Sequence, residues 1–235
     1  MTWSGHPREG LAPPCLVTGA CDRTFQVIDL LLRQFLGIRT DEQTTQSASW
    51  IRSQQRADGT WSNFYDGEAD IATTIEAYVA LRLAGDREDA EHMRAAAGSV
   101  RENGGLEHAR VFTKIWLSLF GLWSWRDVPA MPPEAMFLPS FVPFTIYDYA
   151  CWARQTVVAL TVVSSYRPVR PLSFRVDELR IGGRPGTRFP VQDPFAKAFL
   201  QLDRALHQYA RTPVRAVREA ALRRAESWIV ERQEA

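Results

Sequence analysis

Cysteine is scarce, with Cys15, Cys21 and Cys151 the only three in 235 residues. The odd count, without a CxxC and without Cys/His pairs at zinc-ligand spacing, excludes a disulfide framework and a structural zinc site; it fits a reducing, cytoplasmic setting. A surplus of charge is missing too. The 28 basic and 27 acidic side chains almost cancel, so the positive field that nucleic acid demands is not there. The opening MTWSGHPREG lacks a basic start followed by an apolar run, and no segment reaches the ~20 apolar residues that cross a bilayer. No stretch alternates with period two over the length of a strand, which argues against sheet. No metal or cofactor is expected.

What is present is helical periodicity in a chain that is 46% hydrophobic, enough to bury a real core. Residues 1–22, with GHPREGLAPPC, read as an irregular arm. TFQVIDLLLRQFLGI places Phe25, Ile28, Leu31, Leu32 and Phe35 on one helical face. TDEQTTQSASWIRSQQ is a second helix that stops at Asp58-Gly59, and DIATTIEAYVALRLAG a third that stops at Gly85. RVFTKIWLSLFGLW and DYACWARQTVVALTVVSSY are helices apolar enough to be buried on most sides. Between them, VPAMPPEAMFLPSFVPF has too many prolines to be helical throughout. A long loop carries Arg167, Arg170, Arg175, Arg180, Arg184 and Arg188, which a diphosphate or an acidic surface would suit, although solvation is the plainer expectation. DPFAKAFLQLDRALHQYA, with a stripe of Phe195, Phe199, Leu202 and Leu206, and PVRAVREAALRRAESWIVERQ close the chain. The acidic clusters YDGEAD and DREDAE are expected to be solvated. The fold class is all-α.

One unit recurs. SWIRSQQRADGTW, residues 49–61, is echoed by SWIVERQ at 227–233, so that Trp50 and Gln55 recur as Trp228 and Gln233 with the same five-residue offset. A helix ends, Gly59 allows a left-handed turn, the Gln55 amide can tie backbone, and Trp61 covers the junction. AAAGSVRENGGLE is a degenerate third copy. Repeated helical hairpins of this kind stack into barrels or solenoids.

The pattern Gln55, Gly59, Trp61, preceded by Trp50-Ile51, resembles the QW motif of squalene-hopene cyclases and related class II terpene cyclases. The resemblance continues through DIATTIEAYVAL, ARVFTKIWLSLFG, VPAMPPEAMFLP, IYDYACWARQTVVAL and LDRALHQY, from about Thr24 onward. It implies an α/α-barrel, or toroid, of helical hairpins: residues 23–190 resemble the inserted barrel of the family, and 191–235 the helices leading to the second, DxDD-bearing barrel. Family members begin with another helix and QW-like unit, which the Pro-rich arm replaces here. An acidic residue of their first helix has no match, Asp29 standing beside the aligned place.

The resemblance also implies roles. Trp152 and Phe112 match cavity-lining aromatics, where ring faces stabilise a carbocation. Glu76, Arg110 and Trp116 match residues near that site, although a Glu76–Arg110 interhelical ion pair is the plainer expectation. The family protonates its substrate with the DxDD acid, and no DxDD occurs in this sequence. No catalytic residue is therefore expected here. The reading is a non-DxDD subunit of a split cyclase, paired with a DxDD-bearing partner around a polyprenyl substrate. Phe195 and Phe199 mark a helix suited to a membrane interface or to a partner barrel. The alternatives are a non-catalytic barrel that binds an isoprenoid or a protein, and a severed piece of a longer cyclase.

Overall fold

The computed structural model describes residues 23–139, 141, 145–182 and 194–233, with the side chains of 23–25, 151, 152, 195 and 233 also outside the described part. The expected arm, 1–22, lies outside the described residues. Eight α-helices are described: α1 Arg23–Leu36, α2 Asp41–Ser53, α3 Ile71–Leu83, α4 Glu91–Glu102, α5 Val111–Leu119, α6 Cys151–Tyr166, α7 Pro194–Arg211 and α8 Arg215–Gln233. The isolated antiparallel bridge Ser62–Ala69 is the extended pairing among the described residues. The fold is all-α. By packing the chain forms two compact units, one of residues 23–113 with 176–182, the other of the remainder, and the division falls inside α5.

The first unit is built around α3, which touches α1, α2 and α4. Its sequence IATTIEAYVALRL has one charge before its last turn, and every residue from Ala72 to Leu81 is buried. A helix apolar all round belongs at the centre of a helical layer. Asp70 starts it, its carboxylate accepting the Thr73 N–H at 2.7 Å. α2 is started by Thr40, whose hydroxyl accepts from Gln43 N–H, with Asp41 and Glu42 in the positive first turn.

α1 meets this core through Val27, Leu30 and Leu31. That face is turned from the expected Phe25, Ile28, Leu31, Leu32, Phe35 stripe, and Leu32 is exposed. The segment DLLLRQFL offers apolar residues at several helical spacings, so the neighbours α2 and α3, not the pattern, select the face. Part of the arginine-rich loop is also not solvated. Val176 and Leu179 are buried in the first unit beside α4, and the Tyr78 hydroxyl donates to Glu178 Oε1 at 2.6 Å.

The second unit gathers α8, α6 and a short 3-10 turn, Pro133–Phe137. Its core is Met136, Ile146, Val158 and Ala225, with Val162, Trp228 and Ile229 packed against it. Ala221 and Ala225 are fully buried and let α8 approach closely. The proline-rich link forms turns, one of them closed by a capping box in which Asp148 and Thr145 exchange hydrogen bonds. α6 buries only Val158 and Thr161 fully among its described side chains, fewer than its apolar sequence suggests, since its remaining faces are half covered.

Candidate functional site

The QW unit of the first copy is the frame on which the site stands. Gln55 Nε2 donates to Gly59 O at 2.9 Å and to His92 O at 2.8 Å, tying the end of α2 to its own turn and to the start of α4. Gly59 has φ +80, and a Cβ there would lie 2.7 Å from the Ala95 backbone carbon, so the turn admits no side chain. Trp61 is buried, and its indole N–H donates to Ile51 O at 2.7 Å. Its backbone completes the link: Trp61 N–H donates to Thr74 Oγ1 at 3.0 Å, and Asp70 N–H to Trp61 O at 2.9 Å. One turn thereby fixes α2, α4 and the first residues of α3. Trp50 is half-buried on α2.

In the echo, Trp228 is half-buried on α8, and the Arg232 guanidinium lies over its ring at 3.9 Å. The Gln233 side chain lies outside the described residues.

Asp70, placed by that turn, holds Arg110. The guanidinium donates to Asp70 Oδ1 at 3.2 Å just before α5 begins. Glu76 is 4% exposed and accepts the Thr113 hydroxyl at 2.5 Å on Oε1. The expected Glu76–Arg110 ion pair is replaced by these two separate bonds. Asp70 takes Arg110 because its oxygen already sits at the helix start, leaving Glu76 to a neutral partner. Burial pushes the Glu76 carboxyl above the ordinary range, and only in part do the Thr113 hydroxyl and the Arg110 charge pull it back. A carboxyl held up in this way keeps its proton to higher pH than a solvated one.

Two residues of this arrangement, Asp70 and Thr113, were not among the sequence candidates. Asp70 belonged to a cluster expected to be solvated, yet an Asp directly before an apolar helix is the signature of an N-cap. The same correction applies to Asp86 of DREDAE. Its carboxylate is 9% exposed, pairs with Arg52 and accepts from His92 Nε2 at 2.7 Å. Thr113 carries no comparable signal.

Phe112, next to this pair on α5, is 54% exposed. Trp116 is half-buried in the second unit and stacks on Phe120, with ring centroids 6.4 Å apart. Trp152 is the second residue of α6, and its side chain lies outside the described residues. Phe199 on α7 is half exposed, and the Phe195 side chain is outside the described residues. No group of three metal-ligating side chains occurs among the described residues. No described helix is long and apolar enough to cross a membrane.

Residues 20–235 match the family model for the squalene-hopene cyclase N-terminal domain. The chain belongs to the squalene-hopene cyclase family. It is 45% identical over 186 residues to the squalene–hopene cyclase of Alicyclobacillus acidocaldarius, which is 78% of this chain and 30% of that protein. With the squalene–hopene cyclase of Zymomonas mobilis it shares 38% over 191 residues, 80% of this chain and 29% of the other. With the dammaradiene synthase of Dryopteris crassirhizoma it shares 35% over 210 residues, 87% and 31%. The chain thus spans under a third of the length of these relatives. Within the squalene-hopene cyclase family it is a class II terpene cyclase-like N-terminal domain, of the helical α/α-barrel class.

Proposed function

We propose that this chain supplies the non-initiating half of a class II terpene cyclase. It walls a hydrophobic cavity for a polyprenyl substrate, and a DxDD-bearing barrel on a second polypeptide supplies the proton. The observation that carries the reading is the match of residues 20–235 to the squalene-hopene cyclase N-terminal domain. Protonating an alkene calls for a strong, sharpened acid in a dry site. Glu76, buried on α3, is engaged by the Thr113 hydroxyl. Phe112 on α5 and Trp152 on α6 are the aromatics assigned to the substrate wall, with Arg110 and Trp116 supporting it.

The second unit leaves Phe199 and Leu202 on α7, Val214 beyond it, and Val217 and Val230 on α8 at 41% exposure or more. Apolar side chains in this number on consecutive elements favour coverage by another protein surface. The test is co-expression with a DxDD-bearing barrel from the same source, followed by analytical ultracentrifugation. The proposal requires a one-to-one complex that Phe199→Asp with Leu202→Asp weakens. Two non-interacting species at micromolar concentration would rule it out.

A further inference from the structure

α1 carries apolar residues on two sides, and the packing of the first unit covers one of them. Val27, Leu30 and Leu31 are buried. On the second side Ile28 is half-buried, Leu32 and Leu36 are 42% and 55% exposed, and Ile38, just past the helix, is 56% exposed. Residues 28, 32 and 36 stand one above another on a helix, so they form a single stripe. Asp29 and Arg33, paired at 2.7 Å, answer each other's charge along its edge. A surface helix ordinarily turns polar residues to this side, and an apolar stripe left open there asks for a cover.

The chain that leads into α1 carries a segment of matching chemistry and length. Residues 11–17, LAPPCLV, are apolar and uncharged, and they belong to the part outside the described residues. Fully extended they span about 20 Å, against about 15 Å for the stripe from Ile28 to Ile38. The tether is also long enough. Ile28 stands about 8 Å along the axis from Arg23, whereas Val17 can lie up to about 20 Å from Arg23, which leaves chain for a reversal at Thr18-Gly19. Pro13 and Pro14 carry no N–H, so this segment can lie on an apolar surface with fewer donors left unmet. Their fixed φ also lowers the entropy lost on docking.

We propose that residues 11–17 fold back along the open stripe of α1, with Val17 beside Ile28, Cys15 beside Leu32 and Leu11 beside Leu36 and Ile38. The arm is then a built-in cover for an apolar face that would otherwise be open to another chain. This contact goes beyond the cyclase reading and does not depend on it.

Cys15 supplies the test. In the full chain, Cys21→Ser and Cys151→Ser leave Cys15 as the one thiol, and a second is introduced by Leu32→Cys or, as a control on the neighbouring α2, by Gln46→Cys, an exposed position. Disulfide formation under a mild oxidant is followed at low protein concentration by peptide mass spectrometry, with circular dichroism as the check on folding. The expected result is an intramolecular disulfide from Cys15 to position 32 that forms about tenfold or more faster than the one to position 46, because docking raises the effective concentration of the two thiols. Adding Leu11→Asp and Val17→Asp should bring the two rates together with the circular dichroism unchanged. Equal rates at positions 32 and 46 before that change, or an excess at 32 that survives it, overturn the proposal. A disulfide between two chains that grows with protein concentration assigns the stripe to a second copy, and blocking of the thiol at position 32 only when a DxDD-bearing barrel is added assigns it to that barrel; either result also overturns the proposal.

Discussion

Replacing Gly59 by alanine tests the claim that the QW turn is the keystone of the first unit. Two costs arise there. With φ +80 the backbone is in the left-handed region, which costs a residue with a Cβ about 1–2 kcal/mol. The new Cβ would stand 2.7 Å from both the Ala95 carbonyl carbon and its Cβ. Backbone of α4 cannot swing aside as a flexible side chain would, and overpacking of this kind costs about 1–3 kcal/mol. The stiffer unfolded chain returns about 0.4–1 kcal/mol, leaving a net loss of roughly 2–4 kcal/mol. Two other glycines isolate the parts. Gly85 has φ +100, and a Cβ there would meet nothing within 4 Å, so Gly85→Ala carries the backbone cost alone, about 1 kcal/mol net. Gly98 is inside α4 with open space around it, so Gly98→Ala gains about 0.5–1 kcal/mol. Urea unfolding of the three variants, with amide exchange to localise the loss to α2, α3 and α4, gives the order. If Gly59→Ala costs no more than Gly85→Ala, the close approach of turn and helix is not what makes this glycine necessary.

Trp61→Phe keeps most of the buried ring and removes the indole donor from the Ile51 carbonyl, which retains the Gln54 N–H at 3.1 Å, so a loss of about 0.5–1.5 kcal/mol in urea unfolding is expected; no loss would mean that the indole bond does not help to hold the turn. Glu76→Gln changes the pH dependence of stability. Because the folded carboxyl sits above its unfolded value, the native state holds the proton longer. Wild-type stability therefore falls as pH rises from the ordinary carboxylate range through the raised folded value. The variant should gain on wild type across that window in urea midpoints, and a difference constant with pH contradicts the assignment. Glu134 has the opposite sign: burial pushes it up, but the Arg218 and Tyr209 hydrogen bonds outweigh this and hold it below the ordinary range. Its stabilisation is present above the unfolded value and lost as pH falls through the folded one. Arg218→Gln should accordingly be damaging near pH 7 and progressively less so as pH falls below the ordinary carboxylate range, as read by thermal melting.

The helices were legible because their boundaries are written in local chemistry. Gly85 stands just past the end of α3, and prolines at 129, 132 and 133 break the link into turns, whereas α2 ends at Ser53, before the Asp58-Gly59 turn expected to stop it. The use of each helix face was less legible. α1 has apolar residues on more than one face, and only the packing of α2 and α3 decides that Val27 and Leu30 go inward. The loop after α6 reads as polar from its arginines, yet Val176 and Leu179 between them are buried. In the candidate site, Glu76 and Arg110 were found by resemblance, while their true partners, Thr113 and Asp70, depend on which helix ends meet in space. Such pairings follow from tertiary geometry and leave no periodic trace.

The central claim is that these residues wall a cyclase cavity but do not start the reaction. It is tested most directly by incubating squalene and prenyl diphosphates with this chain alone, with a DxDD-bearing barrel from the same source alone, and with both, and analysing the products by gas chromatography and mass spectrometry. The account predicts cyclised product only from the mixture, reduced by Trp152→Ala and Phe112→Ala. Cyclised product from this chain alone would contradict it.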